Sequence, residues 1–85
     1  MDNEYTEKYL KTLYKNIIQI QELTNIPDKE YSSILEISIN TLKRIKRGEQ
    51  PKNVTIITII NIYKHFGIYP SQLIGKTPLM FLNPQ

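Results

Sequence analysis

The chain contains no cysteine and a single histidine, His65. Without cysteine it has no disulfide bonds and no zinc sites built from thiolates. It also lacks a Gly-rich phosphate loop, a paired-carboxylate arrangement and a Ser/His/Asp grouping. His65 stands near the end of a predicted helix, where interaction with helix carbonyls is the simplest interpretation. The sequence therefore predicts no metal site, no cofactor and no enzyme.

Long apolar runs are also missing. The densest apolar segment, Val54 to Tyr63, is interrupted by Thr55, Thr58 and Asn61 and falls well short of the roughly 20 residues that a membrane helix needs. The first residues, Met1 to Glu4, are acidic and polar, unlike the basic and apolar regions of a secretory signal. We therefore predict a cytoplasmic protein without a membrane segment.

Positive charge is concentrated in one part of the chain. The 85 residues carry a net charge of +3, and a chain of this length and composition, 40% hydrophobic and 22% charged, supports one soluble globular domain. Between Lys43 and Lys52 five Lys or Arg stand against one Glu, whereas the remainder has six Lys or Arg against seven Asp or Glu. A basic segment on an otherwise near-neutral domain is typical of nucleic-acid binding.

The spacing of apolar residues predicts five helices. Their expected ranges are Tyr5 to Leu23, Asp28 to Leu35, Ile39 to Arg47, Val54 to Phe66 and Pro70 to Ile74. The β-branched residues of the fourth segment favour a strand. Its polar residues, however, recur at every third position, which lines one side of a helix. We also expect Tyr14, Tyr31 and Tyr63 to pack in the core, since they fall on apolar faces.

The third predicted helix separates two kinds of side chain. Ser38 is a good N-cap for it, and Gly48 suits a left-handed C-terminal cap. Leu42 and Ile45 are expected to point inward. The opposite side carries residues at i, i+3, i+4 and i+7, namely Asn40, Lys43, Arg44 and Arg47.

The helix order and the residues at the joints resemble the helix-turn-helix family of phage repressors and Cro proteins, the Xre-type regulators. The resemblance covers about Ile17 to Gly75. It rests on Phe66-Gly67-Ile68 with Leu73-Ile74, similar to the family's "LGVxxxxLL" ending, and on a run similar to its "VSxxTIxRIERG" motif, Ile37-Ser38-x-x-Thr41-Leu42-x-Arg44-Ile45-x-Arg47-Gly48. It implies an all-α, compact five-helix lambda-repressor-like domain over residues 1–75, including an N-terminal extension 1–8, with a short C-terminal tail 76–85.

In that family the third helix lies in the major groove of double-stranded DNA and the second crosses the backbone above it. Carried over by position, base reading falls to Ile39, Asn40, Lys43 and Arg44. Phosphate contacts fall to Ser38, Thr41, Lys46, Arg47 and Lys52. The chemistry agrees with this assignment, because Asn can pair with adenine and Arg with guanine in bidentate fashion.

The chain departs from the family pattern at three positions. Asp28 stands where a phosphate-binding Gln is frequent, and its charge would be repelled by phosphate. Glu36 occupies a turn position where Gly is usual, and because a non-Gly residue is strained at positive φ, a turn of slightly different shape is expected. Lys46 replaces a frequent Glu, which predicts the loss of an internal ion pair and a more basic helix.

The resemblance implies a transcriptional regulator, most simply a repressor, acting as a homodimer on a palindromic operator. One such helix reads too few base pairs for a useful site, which also favours two copies. The predicted dimer contacts are Leu73, Ile74, Leu79, Met80, Phe81 and Leu82. Two alternatives stay open. One is a solvated basic face without a partner; the other is a protein-interaction module, such as an antitoxin or anti-repressor, that presents Ile57, Ile60 and the tail. A regulatory protein partner is compatible with either functional interpretation.

Overall fold

The computed structural model describes residues 3–51 and 56–74, with side chains from residue 8 onward. Within these ranges the chain forms helices and no strand, as the periodicity predicts. The helices are α1 Asn3–Thr24, α2 Asp28–Leu35, α3 Ile39–Lys46, α4 Ile56–Phe66 and α5 Pro70–Ile74. The predicted phosphate contact Lys52, the N-terminal start of the fourth helix at Val54 and the apolar tail lie outside the described residues.

All five helices contribute to one hydrophobic core. α1 packs against α3 and α5, α2 packs against α3 and α4, and α4 packs against α5. The buried apolar residues are Leu13, Tyr14, Ile17, Ile20, Tyr31, Leu35, Leu42, Ile45, Ile62, Ile68 and Leu73. Burial of these side chains is the main stabilising contribution to a domain of this size. In the described part of the chain, no helix combines the length and apolar character needed to cross a membrane.

The start of α2 is held by α1. α1 ends where Asn25 adopts φ 57° and donates its N–H to Gln21 O at 2.8 Å. Pro27 then adopts an extended conformation as the N-cap of α2, which agrees with the predicted break. The Gln21 amide donates to Ile26 O at 2.9 Å and to Asp28 Oδ1 at 2.7 Å. One α1 side chain therefore fixes both the loop and the first residue of α2.

The turn between α2 and α3 keeps the left-handed conformation for which Gly is usual, so the different turn shape expected at Glu36 is not what forms. Glu36 adopts φ 59° and ψ 45°, the left-handed region. Its N–H donates to Ser33 O at 3.1 Å, and the N–H of Ile37 donates to Ser32 O at 3.1 Å. These two bonds satisfy carbonyl groups that the end of a helix would otherwise leave unpaired. The turn holds α2 and α3 together without a glycine.

Helix α4 turns two polar side chains inward together with the core residue Ile62. Thr58 Oγ1 donates to Leu35 O at 2.8 Å, and Asn61 Nδ2 donates to Glu36 Oε2 at 3.1 Å. Thr58 is fully buried and Asn61 nearly so. Thr58 and Asn61 thus tie α4 to the C-terminal end of α2, and α4 leaves several apolar side chains on its outer side.

The core prediction for the tyrosines is confirmed at Tyr14 and Tyr31 and is wrong at Tyr63. Tyr63 is 43% exposed and packs on Tyr69, with ring centroids 5.1 Å apart. The inward orientation of Thr58 and Asn61 rotates Tyr63 away from the core. Whether Tyr63 is buried depends on which side of α4 packs against the neighbouring helices, and the sequence alone does not determine this.

Candidate nucleic-acid interface

Helix α3 begins with the cap that the sequence predicts. Ser38 is extended, and its Oγ accepts the N–H of Thr41 at 3.0 Å while its hydroxyl donates to Thr41 Oγ1 at 2.9 Å. This cap satisfies one of the N–H groups that a helix start leaves unpaired. The Thr41 hydroxyl is therefore engaged within the protein, and both side chains lie at the edge of the exposed face.

α3 has a buried apolar side and an exposed polar side, as the spacing of its residues predicts. Leu42 and Ile45 are buried against the core. The outward side chains are Ile39, Asn40, Lys43, Arg44, Lys46 and Arg47, all exposed. The four residues predicted to read bases thus share one accessible surface. We call the surface formed by these six residues the α3 face.

The end of α3 brings a carboxylate next to its own cations. Gly48 adopts φ 94°, its N–H donates to Ile45 O at 3.0 Å, and the N–H of Glu49 donates to Arg44 O at 3.0 Å. This pair of bonds reverses the chain over the last turn of α3. Gly48 is needed here because a residue with a Cβ is strained at this φ. Glu49 is consequently held over the turn that carries Arg44.

Glu49 bridges two arginines of the α3 face. Arg44 Nε donates to Glu49 Oε1 at 2.8 Å, and Arg47 Nη2 donates to Glu49 Oε2 at 3.1 Å. The hydrogen bond from Arg44, followed by that from Arg47, lowers the pKa of the Glu49 carboxyl below its ordinary value. Since all three side chains are well exposed, water and salt weaken these pairs, and a competing anion can replace Glu49.

Lys46 is paired with the first residue of α2. Its Nζ lies 2.8 Å from Asp28 Oδ1, the oxygen that also accepts from Gln21. The Lys46 hydrogen bond, then that of Gln21, lowers the pKa of Asp28. The sequence predicts the loss of an internal ion pair at Lys46; in the structure Lys46 does form an ion pair, because the Asp28 carboxylate lies within its reach.

Helix α1 supports the loop that follows α3. The Tyr14 hydroxyl donates to Pro51 O, and Pro51 is buried. Burial raises the pKa of Tyr14, while the charge of Arg44 lowers it by a smaller amount. On the other side of the core, the Tyr31 hydroxyl donates to Ile17 O at 2.6 Å. Two tyrosines thereby hold α2 and the loop after α3 to the same helix.

The predicted dimer contacts are divided by the structure. Leu73 is fully buried, so its side chain belongs to the core of this chain and offers no surface to a second copy. The predicted dimer contact is therefore wrong at this position, because α5 packs against α1 and the Leu73 side chain points into the core. Ile74 is half-buried against the core. The other predicted contacts, Leu79, Met80, Phe81 and Leu82, lie outside the described residues.

Two residues at this site were missed by sequence reasoning. The sequence analysis assigns no contact to Glu49 and predicts only repulsion of phosphate at Asp28, yet each pairs with cations of the α3 face. The signal for Glu49 was its place directly after the Gly48 cap, where the chain turns back on α3. No local signal connects Asp28 with Lys46, since they are 18 positions apart.

The described residues hold no group of three His, Cys, Asp or Glu side chains arranged to bind a metal ion. The polar chemistry of the α3 face is that of hydrogen-bond donors and cations. Comparison with known protein families, with curated proteins and with solved structures gives no match to this chain.

Proposed function

We propose that this chain is a lambda-repressor-like helix-turn-helix protein that binds double-stranded DNA sequence-specifically and regulates transcription, most simply as a repressor. The observation that carries the proposal is the α3 face. It presents an amide, two guanidinium groups and two ammonium groups on one exposed helix, directly after a short turn from α2. A helix in this arrangement matches the dimensions of the major groove.

Individual side chains of the α3 face suit distinct contacts. Asn40 can pair with adenine and Arg44 with guanine, each giving roughly 1–3 kcal/mol of discrimination against a wrong base. Ile39, exposed at the start of α3, can contact a thymine methyl group. Lys46 and Arg47 suit phosphates, which set affinity and position without reading sequence.

The carboxylates beside these cations support the same function. Glu49 holds the guanidinium groups of Arg44 and Arg47 near one another, and a phosphate or a guanine edge can take its place. Asp28 holds Lys46 in a similar way at the start of α2. The exchange costs little because the pairs are exposed, and the loss of three weak internal pairs is offset by charge-assisted bonds to DNA.

The test is selection of binding sequences from a random pool of double-stranded DNA at about 0.15 M salt, where non-specific binding is weak. The proposal predicts an enriched inverted repeat whose half-sites lie about one helical turn apart. Binding without enrichment, vanishing as salt rises, would leave the α3 face as a non-specific basic surface.

A second candidate is a protein-interaction module, such as an antitoxin or anti-repressor. It is favoured by the exposed apolar side of α4, which includes Ile57 and Ile60. Substitutions on the α3 face separate the two candidates. Lys46→Ala and Asn40→Ala should both impair the DNA-binding protein and should leave capture of a protein partner unchanged.

A further inference from the structure

We infer that the exposed apolar side of α4 binds the same side of a second copy of this chain, forming a two-fold symmetric dimer. The surface consists of five residues that we call the α4 face: Ile56, Ile57, Ile60, Tyr63 and Tyr69. The inference names the dimer interface of the proposed DNA-binding protein, and its first test requires no DNA.

The α4 face is continuous along the helix. Ile56, Ile60 and Tyr63 follow one another at i, i+4 and i+7, and Ile57 lies beside them. Their exposed fractions are high for such side chains, 71% at Ile56 and 45% at Ile60. Tyr69, just before α5, extends the surface through its contact with Tyr63. Single exposed apolar residues are ordinary, but a continuous stripe marks an interaction surface.

The outward orientation is fixed by polar contacts on the inner side of α4. Thr58 and Asn61 are hydrogen-bonded to Leu35 O and to the Glu36 carboxylate. Rotating α4 to bury the exposed isoleucines would leave Leu35 O without its Thr58 donor and would turn the fully buried Ile62 toward solvent, and both changes are costly. No buried side-chain polar atom of the described residues lacks a partner in the present arrangement. In the part of the chain that the structure describes, no other element covers the isoleucines of the α4 face.

The area of the α4 face suits a second copy. From the exposed fractions, it offers on the order of 500 Å² per chain. A two-fold contact would bury about 1,000 Å² in total, near the lower limit for specific interfaces. We therefore expect a reversible dimer with a dissociation constant in the micromolar range.

The charge pattern permits self-association. The segment from Ile56 to Tyr63 contains no charged residue. Lys64 and His65 follow at its C-terminal end and are exposed. In an antiparallel crossing of two α4 helices, the basic ends lie on opposite sides of the two-fold axis, so like charges are kept apart. A symmetric contact of this kind uses one patch on both chains.

Pairing through α4 leaves the α3 face accessible. α4 packs against α2 and α5, whereas α3 packs against α2 and α1. α2 therefore lies between the two faces within each chain. A dimer built on α4 would present two α3 faces, as an inverted repeat requires.

The experiment is sedimentation equilibrium of the full chain over a range of concentrations. The wild type should dimerise at micromolar concentration. Ile60→Glu places a charge in the centre of the interface and should raise the dissociation constant by about tenfold or more. Leu23→Glu is the matched control, because Leu23 is 43% exposed on α1 and lies outside the α4 face. The control should dimerise as the wild type does.

A second variant, Ile57→Lys, repeats the test if Ile60→Glu does not fold, as judged by circular dichroism. A wild type that stays monomeric at millimolar concentration, or equal effects of the Ile60 and Leu23 substitutions, would overturn the inference. So would a chain ending at residue 75 that dimerises when the full chain does not, because the tail would then cover α4.

Failure of the DNA-binding proposal can be distinguished from failure of the α4 interface. If it holds, the Ile60→Glu protein should still bind a single half-site and should lose the added affinity for an inverted repeat. Sequence-selective binding by a protein that never dimerises through α4 would overturn the interface alone. A dimer dependent on Ile60 that selects no sequence would overturn the DNA-binding function alone.

Discussion

The outer faces of α3 and α4 are opposite in character although both helices are amphipathic. α3 buries its apolar Leu42 and Ile45 and exposes cations. α4 buries the polar Thr58 and Asn61 beside Ile62, and it exposes the isoleucines at positions 56, 57 and 60. The difference shows that the orientation of a helix depends on what its neighbours need, since the end of α2 offers α4 acceptors for hydrogen bonds as well as apolar side chains.

The two faces also differ in how their exposed groups are satisfied within the chain. Cations of the α3 face are paired with Glu49 and Asp28, so this face is partly neutralised before any ligand binds. The isoleucines of the α4 face at positions 56, 57 and 60 remain largely exposed in the described structure. We therefore expect that binding at the α3 face exchanges ion pairs, whereas binding at the α4 face removes apolar surface from water.

The largest expected effect comes from a substitution on the side of α3 that packs in the core. Leu42→Ala should lower the free energy of unfolding by about 2–5 kcal/mol, because a fully buried leucine is replaced by a cavity. Urea denaturation measures the change. Ile39→Ala, on the exposed side of the same helix, is the control and should cost much less. Similar losses in the two variants would contradict the assigned orientation of α3.

Removing the Thr58 hydroxyl tests why α4 exposes its apolar residues. Thr58→Val keeps the side-chain shape but leaves Leu35 O without this donor, so stability should fall by about 1–3 kcal/mol. Thr24→Val removes a hydroxyl that bonds to Ile20 O within its own helix and should cost less. Unfolding of both variants by urea gives the comparison. A stabilising Thr58→Val would mean that the inward hydroxyl does not orient α4.

On the α3 face, amide and ammonium groups should affect DNA binding differently. Asn40→Ala should relax the preference at one base pair, by roughly 1–3 kcal/mol. Lys46→Ala should weaken binding to all sequences alike and lower the salt slope by about 0.9. Fluorescence anisotropy with the selected site and with single-base variants measures both. Equal losses on every sequence for Asn40→Ala would remove its base-reading role.

Some of the features behind these expectations could be predicted from the sequence, and others could not. The Ser38 cap and the Gly48 turn could be predicted because each depends on a few adjacent residues. The left-handed conformation of Glu36 could not, because a non-Gly residue is strained there. The side of α4 that faces the core could not be predicted, because the spacing of Thr58 and Asn61 does not reveal that α2 offers them hydrogen-bond acceptors. The Lys46–Asp28 pair needed the packing of two helices to become visible.

The buried tyrosine on α2 gives a pH-dependent prediction. Burial raises the pKa of Tyr31 well above its ordinary value. The folded state therefore keeps the proton when the unfolded state releases it, so stability is fully present below about pH 10 and falls as the pH rises further. Tyr31→Phe should cost about 1 kcal/mol at neutral pH and should reduce this alkaline loss. Unfolding measured at neutral and alkaline pH tests both parts; an unchanged alkaline loss would contradict them.

The smallest expected effect concerns the carboxylate within the α3 face. Glu49→Gln removes the partner of Arg44 and Arg47 and one negative charge near DNA. Affinity for DNA should rise by only about twofold to threefold, because exposed ion pairs contribute little. Glu30→Gln makes the same change in net charge on α2 and is the control. Weaker binding by Glu49→Gln would mean that Glu49 positions the arginines and does not compete with DNA.

The most direct test of the division between the two faces is a nuclear magnetic resonance titration of the ¹⁵N-labelled full chain with the selected DNA at about 0.15 M salt. With the protein held at a concentration where it is dimeric, the account predicts that amide shifts concentrate in α3, from Asn40 to Arg47, and at the start of α2. The amides of Ile56 to Tyr63 should change little. Shifts concentrated in α4, or no shifts on adding DNA, would contradict the assignment of the α3 face to DNA.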